Sequence, residues 1–415
     1  MPQPIKAARG VHDLLPADMP RWRAAEQSAR EVAQRFGYEE IVTPLIEQVE
    51  LIERIGEDTD AVSKELYRFE RRGNQNLALR PEATAGVVRA YFENSLNQRP
   101  QPSRLYLLGP MFRYDKPQQG RYRQFFQFNV EVIGGASPAF DAEVIELARD
   151  WLRQLELGEV RLELNTIGDS LCRPGYLEQL RTYYRPLKAK LSADSQKRLE
   201  RNPLRLLDSK AEEDLPVKAN APRITDHLCD ECAAHWATVQ RLLDGAEIDY
   251  TLNPYLVRGL DYYTRTVFEF FPGSRTGQQD ALGGGGRYDG LAEMAGWRPT
   301  PAVGFAMGLD RVTELMNPES VPARPPADVL VLPDGDLAVP AAEVARICRA
   351  VTSVAVDYEP KSLRAKMRSA DKLGARWVVL LSAEDASRRV ANLRDMSSGD
   401  QVELPWVELP TRLAR

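Results

Sequence analysis

The sequence predicts an α+β fold: a large domain built on an antiparallel sheet, interrupted by a helical insertion and followed by a small α/β domain. Three observations predict it. Two adjacent strand-like runs, Arg104–Arg113 and Arg123–Gly134, flank a short polar, basic loop and read as a hairpin. From Cys172 to about Tyr250, charged helical sequence replaces strand-like sequence. After Asn317–Pro326, a semi-rigid linker with four prolines in ten residues, short apolar runs alternate with helical segments. The expected boundaries are 1–325 for the first domain, with 172–250 inserted in it, and 327–415 for the second.

A chain of 415 residues exceeds what one hydrophobic core usually supports, which agrees with this division. No apolar run approaches the ~18 residues needed to cross a bilayer, and Met1–Gly10 lacks the apolar stretch of a signal peptide, so a cytoplasmic protein is expected. Cys172, Cys229, Cys232 and Cys348 are too few and too scattered for a disulfide framework. A formal charge of −5 argues against coating nucleic acid through a bulk positive field, so any nucleic-acid contact has to concentrate its cations locally.

Within the first domain, Trp22, Ala25, Ala29, Val32, Ala33 and Phe36 recur at helical spacing, and Gly37 ends that helix. Tyr38–Pro44 reads as a strand closed by proline. In the second strand of the hairpin, Phe126, Phe128, Val130 and Val132 share a face suited to a core. Phe125, Gln127, Asn129 and Glu131 share the other, which can carry ligand chemistry or simply face solvent. The insertion contains helical runs at Leu177–Leu191 and His235–Leu243. Strand-like sequence resumes at Tyr255 and ends in a helix near Arg311. In the second domain Ala327–Leu332, Val351–Val356 and Trp377–Leu381 are the apolar runs, with helices at Ala341–Ala350 and Ser362–Leu373 between them.

Four strings carry chemistry. In Leu79–Thr84 a carboxylate precedes a hydroxyl by two residues, a pair able to hold an ammonium group, although proline and glutamate also favour a helix N-terminus. In Phe112–Phe125 arginines stand at both ends of a glycine-containing loop, suited to phosphate oxygens, and Phe125 offers a ring on which a base could stack. Leu256–Arg265 is followed by Gly283–Asp289, whose four glycines allow backbone to approach a ligand or form a tight turn; the dinucleotide-binding glycine order is missing. In Pro301–Arg311 a small-residue strand leads into a helix whose first turn carries arginine, placed for a phosphate or a purine.

Together and in this order, these strings resemble the three motifs of class II aminoacyl-tRNA synthetases and the two signature segments of histidyl-tRNA synthetases, from Gly10 to about Arg311. The remaining domain resembles that family's anticodon-binding module. The resemblance implies a class II synthetase-like catalytic domain that makes histidyl-adenylate from L-histidine and ATP and charges tRNA(His). It places Glu82, Thr84 and Gln127 on the histidine α-amino group and Glu131 and Tyr263 on the two imidazole nitrogens, with Tyr262 and Tyr288 completing the pocket. A carboxylate and a phenol on opposite sides of the ring discriminate imidazole from isosteres that leave one of them unpaired. Arg113 is implied on the α-phosphate, Phe125 and Arg311 around adenine, Arg121 on the outer phosphates, and Arg258 opposite Arg113 as the distinctive catalytic arginine, with Mg²⁺ accompanying the β- and γ-phosphates. Asp115 and Phe126 depart from the family's usual glutamate and histidine, which bears on the loop around Gln118 and its contacts with the tRNA acceptor end, where Arg123 is also implied.

The second domain balances 13 acidic against 13 basic residues, yet Lys361, Arg364, Arg368 and Lys372 fall along one helix, a face for tRNA or for solvent. The apolar helix before Pro44 resembles the motif that builds class II dimers, so a homodimer is expected; burial against the protein's own sheet is the other use of that face. The competing reading is the non-catalytic paralogue that regulates ATP phosphoribosyltransferase. Such a protein typically lacks the C-terminal domain and drops active-site residues, whereas this chain has Ala327–Arg415, Arg113, Arg258 and Arg311. His227, Cys229, Cys232 and His235 are four potential metal ligands in nine residues, but helical placement puts positions 229, 232 and 235 near one face and a run this compact has no second arm, so no structural metal is expected.

Overall fold

The computed structural model describes residues 3–56, 65–70, 76–116, 120–259, 262–273, 281–321 and 325–414. The chain divides into two compact units, Met1–Val321 and Pro322–Arg415.

The first unit opens with helix α1 (Met19–Arg35), started by a proline in its first turn and stopped at Gly37, which takes the left-handed conformation at φ 79°. Strand β1 (Glu39–Glu40) is followed by a small antiparallel sheet of β2 (Ile46–Gln48), β3 (Arg68–Glu70) and β4 (Asn76–Leu79). The expected strand over Tyr38–Pro44 is thus only two residues long. The reason is local: Arg80 takes the Thr43 carbonyl and hydroxyl, both at 3.0 Å, and Pro44 has no N–H to give a ladder.

Helix α2 (Thr84–Glu93) precedes the hairpin β5 (Ser103–Phe112) and β6 (Gln124–Ile133). After α3 (Ala139–Gln154) come β7 (Val160–Thr166), the helical insertion bounded by α4 (Arg173–Tyr184) and α5 (Asp230–Gly245), and β8 (Thr251–Leu252). The unit closes with β9 (Thr264–Pro272), β10 (Gly283–Arg287), β11 (Ala302–Gly308) and helix α6 (Leu309–Leu315). Eight strands form one sheet in the order β1-β5-β6-β11-β10-β9-β7-β8, antiparallel except at its two edges.

One face of that sheet meets α1 and α3. Phe128, Val130 and Val132 enter this core as their alternation predicts, beside Trp151, whose indole N–H donates to the Ala25 carbonyl at 3.2 Å. Trp22, Ala25, Ala29, Val32 and Ala33 all belong to the same core. The apolar stripe of α1 is therefore covered by its own chain and is not available to a second one. The exposed apolar side chains of this region, Val42, Leu45 and Ile46, lie just beyond it.

The glycines of β10 serve the packing of the sheet, and the first of them, Gly283, also lines a deep cavity of the first unit. A Cβ on Gly285 would run into the Gly304 carbonyl, because β10 is squeezed between β9 and β11. Arg287 at the end of this strand is buried and paired with buried Asp141, which also takes His235 at 3.1 Å.

His235, one of the four potential ligands in the run 227–235, is thereby engaged by Asp141, and His227 lies against Tyr176. The premise that Cys229 and Cys232 have no second arm is also corrected. Asp169 and Cys172, at the other end of the insertion, meet them, because the chain leaves β7 and returns through α5 at one place.

The second unit is built on a five-stranded sheet, β13-β12-β14-β15-β16, with β12 (Val329–Pro333) between parallel β13 (Val354–Val356) and β14 (Trp377–Leu381), and antiparallel β15 (Val390–Asp395) and β16 (Gln401–Pro405) extending it beyond β14. Helix α7 (Ala338–Cys348) joins one core and α8 (Leu363–Leu373) the other. Arg364, Arg368 and Lys372 are exposed on α8, while Lys361 precedes it.

Candidate active site

The ligand-facing side of β6 forms the floor of a deep cavity in the first unit. Phe125 and Gln127 come from β6, Glu82 and Thr84 from the start of α2, Arg113 and Arg121 from the loop after β5, and Arg311 from α6. Arg258, Tyr262, Tyr263 and Tyr288 close the other side. Eleven residues singled out in the sequence thus line one space, although they span positions 82 to 311.

Glu82 does two things. Its carboxylate caps α2, accepting the backbone N–H groups of Thr84 and Ala85 at 2.8 Å each, so the helix N-terminus foreseen for this string is present. It also stands in the cavity wall, where burial raises its pKa against the lowering effect of those hydrogen bonds. Arg113 is anchored through Nε to the Pro81 carbonyl at 2.9 Å, with its guanidinium 5.3 Å from the Phe125 ring centre. Burial lowers its pKa, opposed by the carboxylates of Glu65 and Glu82.

Glu131 is buried directly against two lining residues, Thr84 and Tyr288. The Thr84 hydroxyl donates to one of its oxygens at 2.7 Å and the Tyr288 hydroxyl to the other. Burial pushes its pKa up to about 8 even though both hydroxyl contacts act to lower it. Gly304, directly across the ladder, is what leaves room for it: a Cβ there would overlap the Glu131 carboxylate and the Val130 carbonyl. Next to it, Gln127 Oε1 and both amide atoms of Asn129 are buried without a hydrogen-bond partner among the described residues.

Arg258 forms an ion pair with Glu269 of β9, and its guanidinium carbon is 5.9 Å from the Tyr263 ring centre. Burial alone would lower its pKa, but Glu269 and Tyr263 reverse that and raise it, so the group stays a cation. Nothing in the sequence singles out Glu269, since it lies 11 positions from Arg258 with no motif linking the two. Asp115, which bridges to Arg121 at 2.8 Å, and Glu65 are further acidic residues of the wall. Arg311 is held by the carbonyls of Gly120 at 2.9 Å and Ala281.

The residues expected at the tRNA acceptor end fare differently. Gln118 lies outside the described residues. Arg123 does not line the cavity; its guanidinium is 3.8 Å from the Tyr114 ring centre and donates to the carbonyls of Asp115 and Arg9, which ties down the loop.

Chemically, the cavity offers four arginines for phosphate and carboxylate oxygens, a ring for a base, and an acidic end lined by tyrosines for a small cationic or heteroaromatic group. Comparison with known proteins agrees. A family model described as histidyl-tRNA synthetase matches residues 10–312, and one described as anticodon binding domain matches residues 328–415. A histidine–tRNA ligase of Desulforudis audaxviator is 46% identical, covering 99% of each chain, and one of Desulforamulus reducens is 43% identical, covering 97% of each. The crystal structure of apo S. aureus histidyl-tRNA synthetase superposes with a TM-score of 0.82 at 32% identity, covering 99% of this chain and 100% of that one. A Bacillus halodurans structure described as an ATP phosphoribosyltransferase regulatory subunit/histidyl-tRNA synthetase shares the fold at 23% identity and a TM-score of 0.66.

Proposed function

Because the chain belongs to the histidyl-tRNA synthetase family, we propose that the cavity binds histidine at its tyrosine-lined end and ATP, as its Mg²⁺ complex, along its arginines. The chain is a histidine–tRNA ligase: it activates L-histidine with ATP to histidyl-adenylate and pyrophosphate and transfers histidine to the 3′ end of tRNA(His). The regulatory reading is disfavoured, since the anticodon-binding module and Arg113, Arg258 and Arg311 are all present.

The observation that carries the residue assignment is the buried, unpartnered Oε1 of Gln127 beside Glu82 and Thr84, an acceptor group suited to the histidine ammonium. Glu131 and Tyr263 are assigned to the two imidazole nitrogens, with Glu131 accepting the ring N–H and Tyr263 donating to the bare nitrogen. Tyr288 and Thr84 hold the Glu131 oxygens in place, and Tyr262 packs against Tyr288 at 5.7 Å between ring centres. Phe125 and Arg311 flank adenine, Arg121 takes the outer phosphates, and Arg113 and Arg258 take the α-phosphate. Mg²⁺ would come with ATP and screen the charge of its outer phosphates, and Glu65 is a hard oxygen donor in the same wall that could help hold it.

This assignment has a pH signature. Glu131 must be ionised to accept an imidazole N–H, and with a pKa of about 8 it is largely neutral at pH 7 in the free enzyme. Histidine binding should therefore strengthen as pH rises, with KM for histidine falling roughly eightfold between pH 7 and 8.5, following the ionised fraction. In Glu131→Gln, KM should be high and free of that trend. A wild-type KM that stays level over this range contradicts the role given to Glu131.

For tRNA, exposed Arg364, Arg368 and Lys372 on α8 are proposed as anticodon-side contacts, acting on phosphates. A homodimer is also proposed, through the exposed Val42–Ile46 region rather than through α1. Sedimentation at micromolar concentration should give a particle of twice 46.7 kDa, and Val42→Glu should shift it toward the monomer; a wild-type monomer at that concentration contradicts the proposal. Among the described residues no helix is long and apolar enough to cross a membrane, and a cytoplasmic site of action fits a tRNA-charging enzyme.

A further inference from the structure

The two ends of the helical insertion meet in a cluster that the reaction does not use. Gly168, at φ 63°, turns the chain out of β7, and Asp169 and Cys172 then lie against Cys229 and Cys232 at the start of α5. One carboxylate oxygen and three sulfurs all fall within 4.8 Å of one another. Cys172 and Cys232 are buried, Asp169 and Cys229 half-buried, and the cysteines are free thiols.

Reduced cysteines often do no more than fill a core. Simple packing does not account for a carboxylate set among three thiols, each donor pair separated by two residues on its own arm. That spacing brings two ligand atoms to one side of a turn, and two such arms complete a tetrahedron. Zinc held at ~2.3 Å from each sulfur puts the sulfurs roughly 3.8 Å apart, so the cluster needs to contract by no more than about 1 Å. The surroundings are arranged for it. Asp169 Oδ1 accepts the Leu171 backbone N–H at 3.0 Å and also faces the thiols, 3.6 Å from Cys172 Sγ, while Oδ2 accepts Arg265 Nη2 at 3.1 Å, an outer contact that orients the carboxylate and offsets the negative charge of the set. Arg265 reaches this position in the left-handed conformation, φ 51°, which a side-chain-bearing residue adopts at a cost.

We propose that Asp169, Cys172, Cys229 and Cys232 bind a single tetrahedral Zn²⁺ that staples the base of the insertion to the catalytic sheet. Three soft sulfurs and one oxygen select zinc over magnesium or calcium, and four protein ligands leave no open position, so the role is structural. The staple also reaches the histidine pocket. Arg173, adjacent to Cys172, donates to the Tyr263 carbonyl at 2.6 Å and to those of Ile167 and Gly168.

The test is metal analysis of the full-length chain, purified under reducing conditions without chelator and dialysed with zinc. About one zinc per chain is expected. Cobalt(II) in its place should give the intense visible bands of tetrahedral coordination and a thiolate-to-cobalt charge-transfer band. The double variant Cys229→Ser/Cys232→Ser should retain at least tenfold less zinc, whereas Cys348→Ser, in the other unit, should retain all of it. Should the double variant fail to fold, Asp169→Cys, which completes a four-thiolate set, is expected to stay folded and keep one zinc. A folded, reduced wild-type chain with less than about 0.1 zinc, or a folded double variant that keeps its zinc, overturns the proposal.

Discussion

Replacing Arg258 by alanine is expected to lower the rate of adenylate formation by roughly two to three orders of magnitude, the effect of losing one preplaced donor to a developing oxyanion. As the histidine carboxylate attacks the α-phosphate, negative charge grows on the equatorial oxygens. A guanidinium already in place stabilises that charge more than it stabilises the bound substrates, so kcat should fall while KM for histidine and ATP changes far less. Its ion pair with Glu269 holds the group as a cation, and its buried Nε has no partner among the described residues. Arg258→Lys should recover little, because a point ammonium cannot reproduce the planar fork. Transfer from preformed adenylate should suffer less, with Arg113 still on the phosphate.

Truncation at Arg258 also leaves Glu269 buried without its cation, which could slow the enzyme for an unrelated reason. The double variant Arg258→Ala/Glu269→Gln separates the two effects. It should remain as slow as the single variant if the arginine acts on the reacting phosphate. Single-turnover kinetics decides: an activation rate within about fivefold of wild type, ~1 kcal/mol of barrier, makes Arg258 a structural residue.

The second large effect is expected from deleting residues 327–415. Each unit has its own hydrophobic cores, so the first should fold without the second. Adenylate formation, confined to the cavity of the first unit, should stay within a fewfold of wild type, while tRNA charging falls by roughly a hundredfold or more as one of two linked binding modules is lost. Undiminished charging by the truncated chain contradicts the anticodon-binding assignment of the second unit. Charge reversal of Arg364 and Arg368 in the full chain would then narrow the effect to α8.

What could be read without coordinates was what local periodicity encodes. The hairpin and the division of β6 into a core face and a second face follow from short strings with regular spacing, whereas the convergence of Glu82, Thr84, Gln127 and the four arginines on one cavity is implied only by the resemblance of those strings to synthetase motifs. What could not be read depends on which distant segments become neighbours. The string Gly283–Gly286 does not show that a strand runs through it, because the strands that squeeze it on either side are supplied from elsewhere in the chain. Glu269 carries no motif that ties it to Arg258, 11 positions away, and a whole helical insertion separates Asp169 and Cys172 from Cys229. The stripe on α1 was correctly apolar, but periodicity does not say whether such a face meets its own sheet or another chain.

The most direct test of the account is exchange of labelled pyrophosphate into ATP by the purified chain, run with each amino acid in turn. The account predicts exchange that requires histidine and Mg²⁺, that no other amino acid supports at comparable concentration, and that Arg258→Ala slows by roughly two to three orders of magnitude. Exchange that proceeds without histidine, or none at all from a folded chain, would contradict the assignment of this cavity as the place where histidyl-adenylate is made.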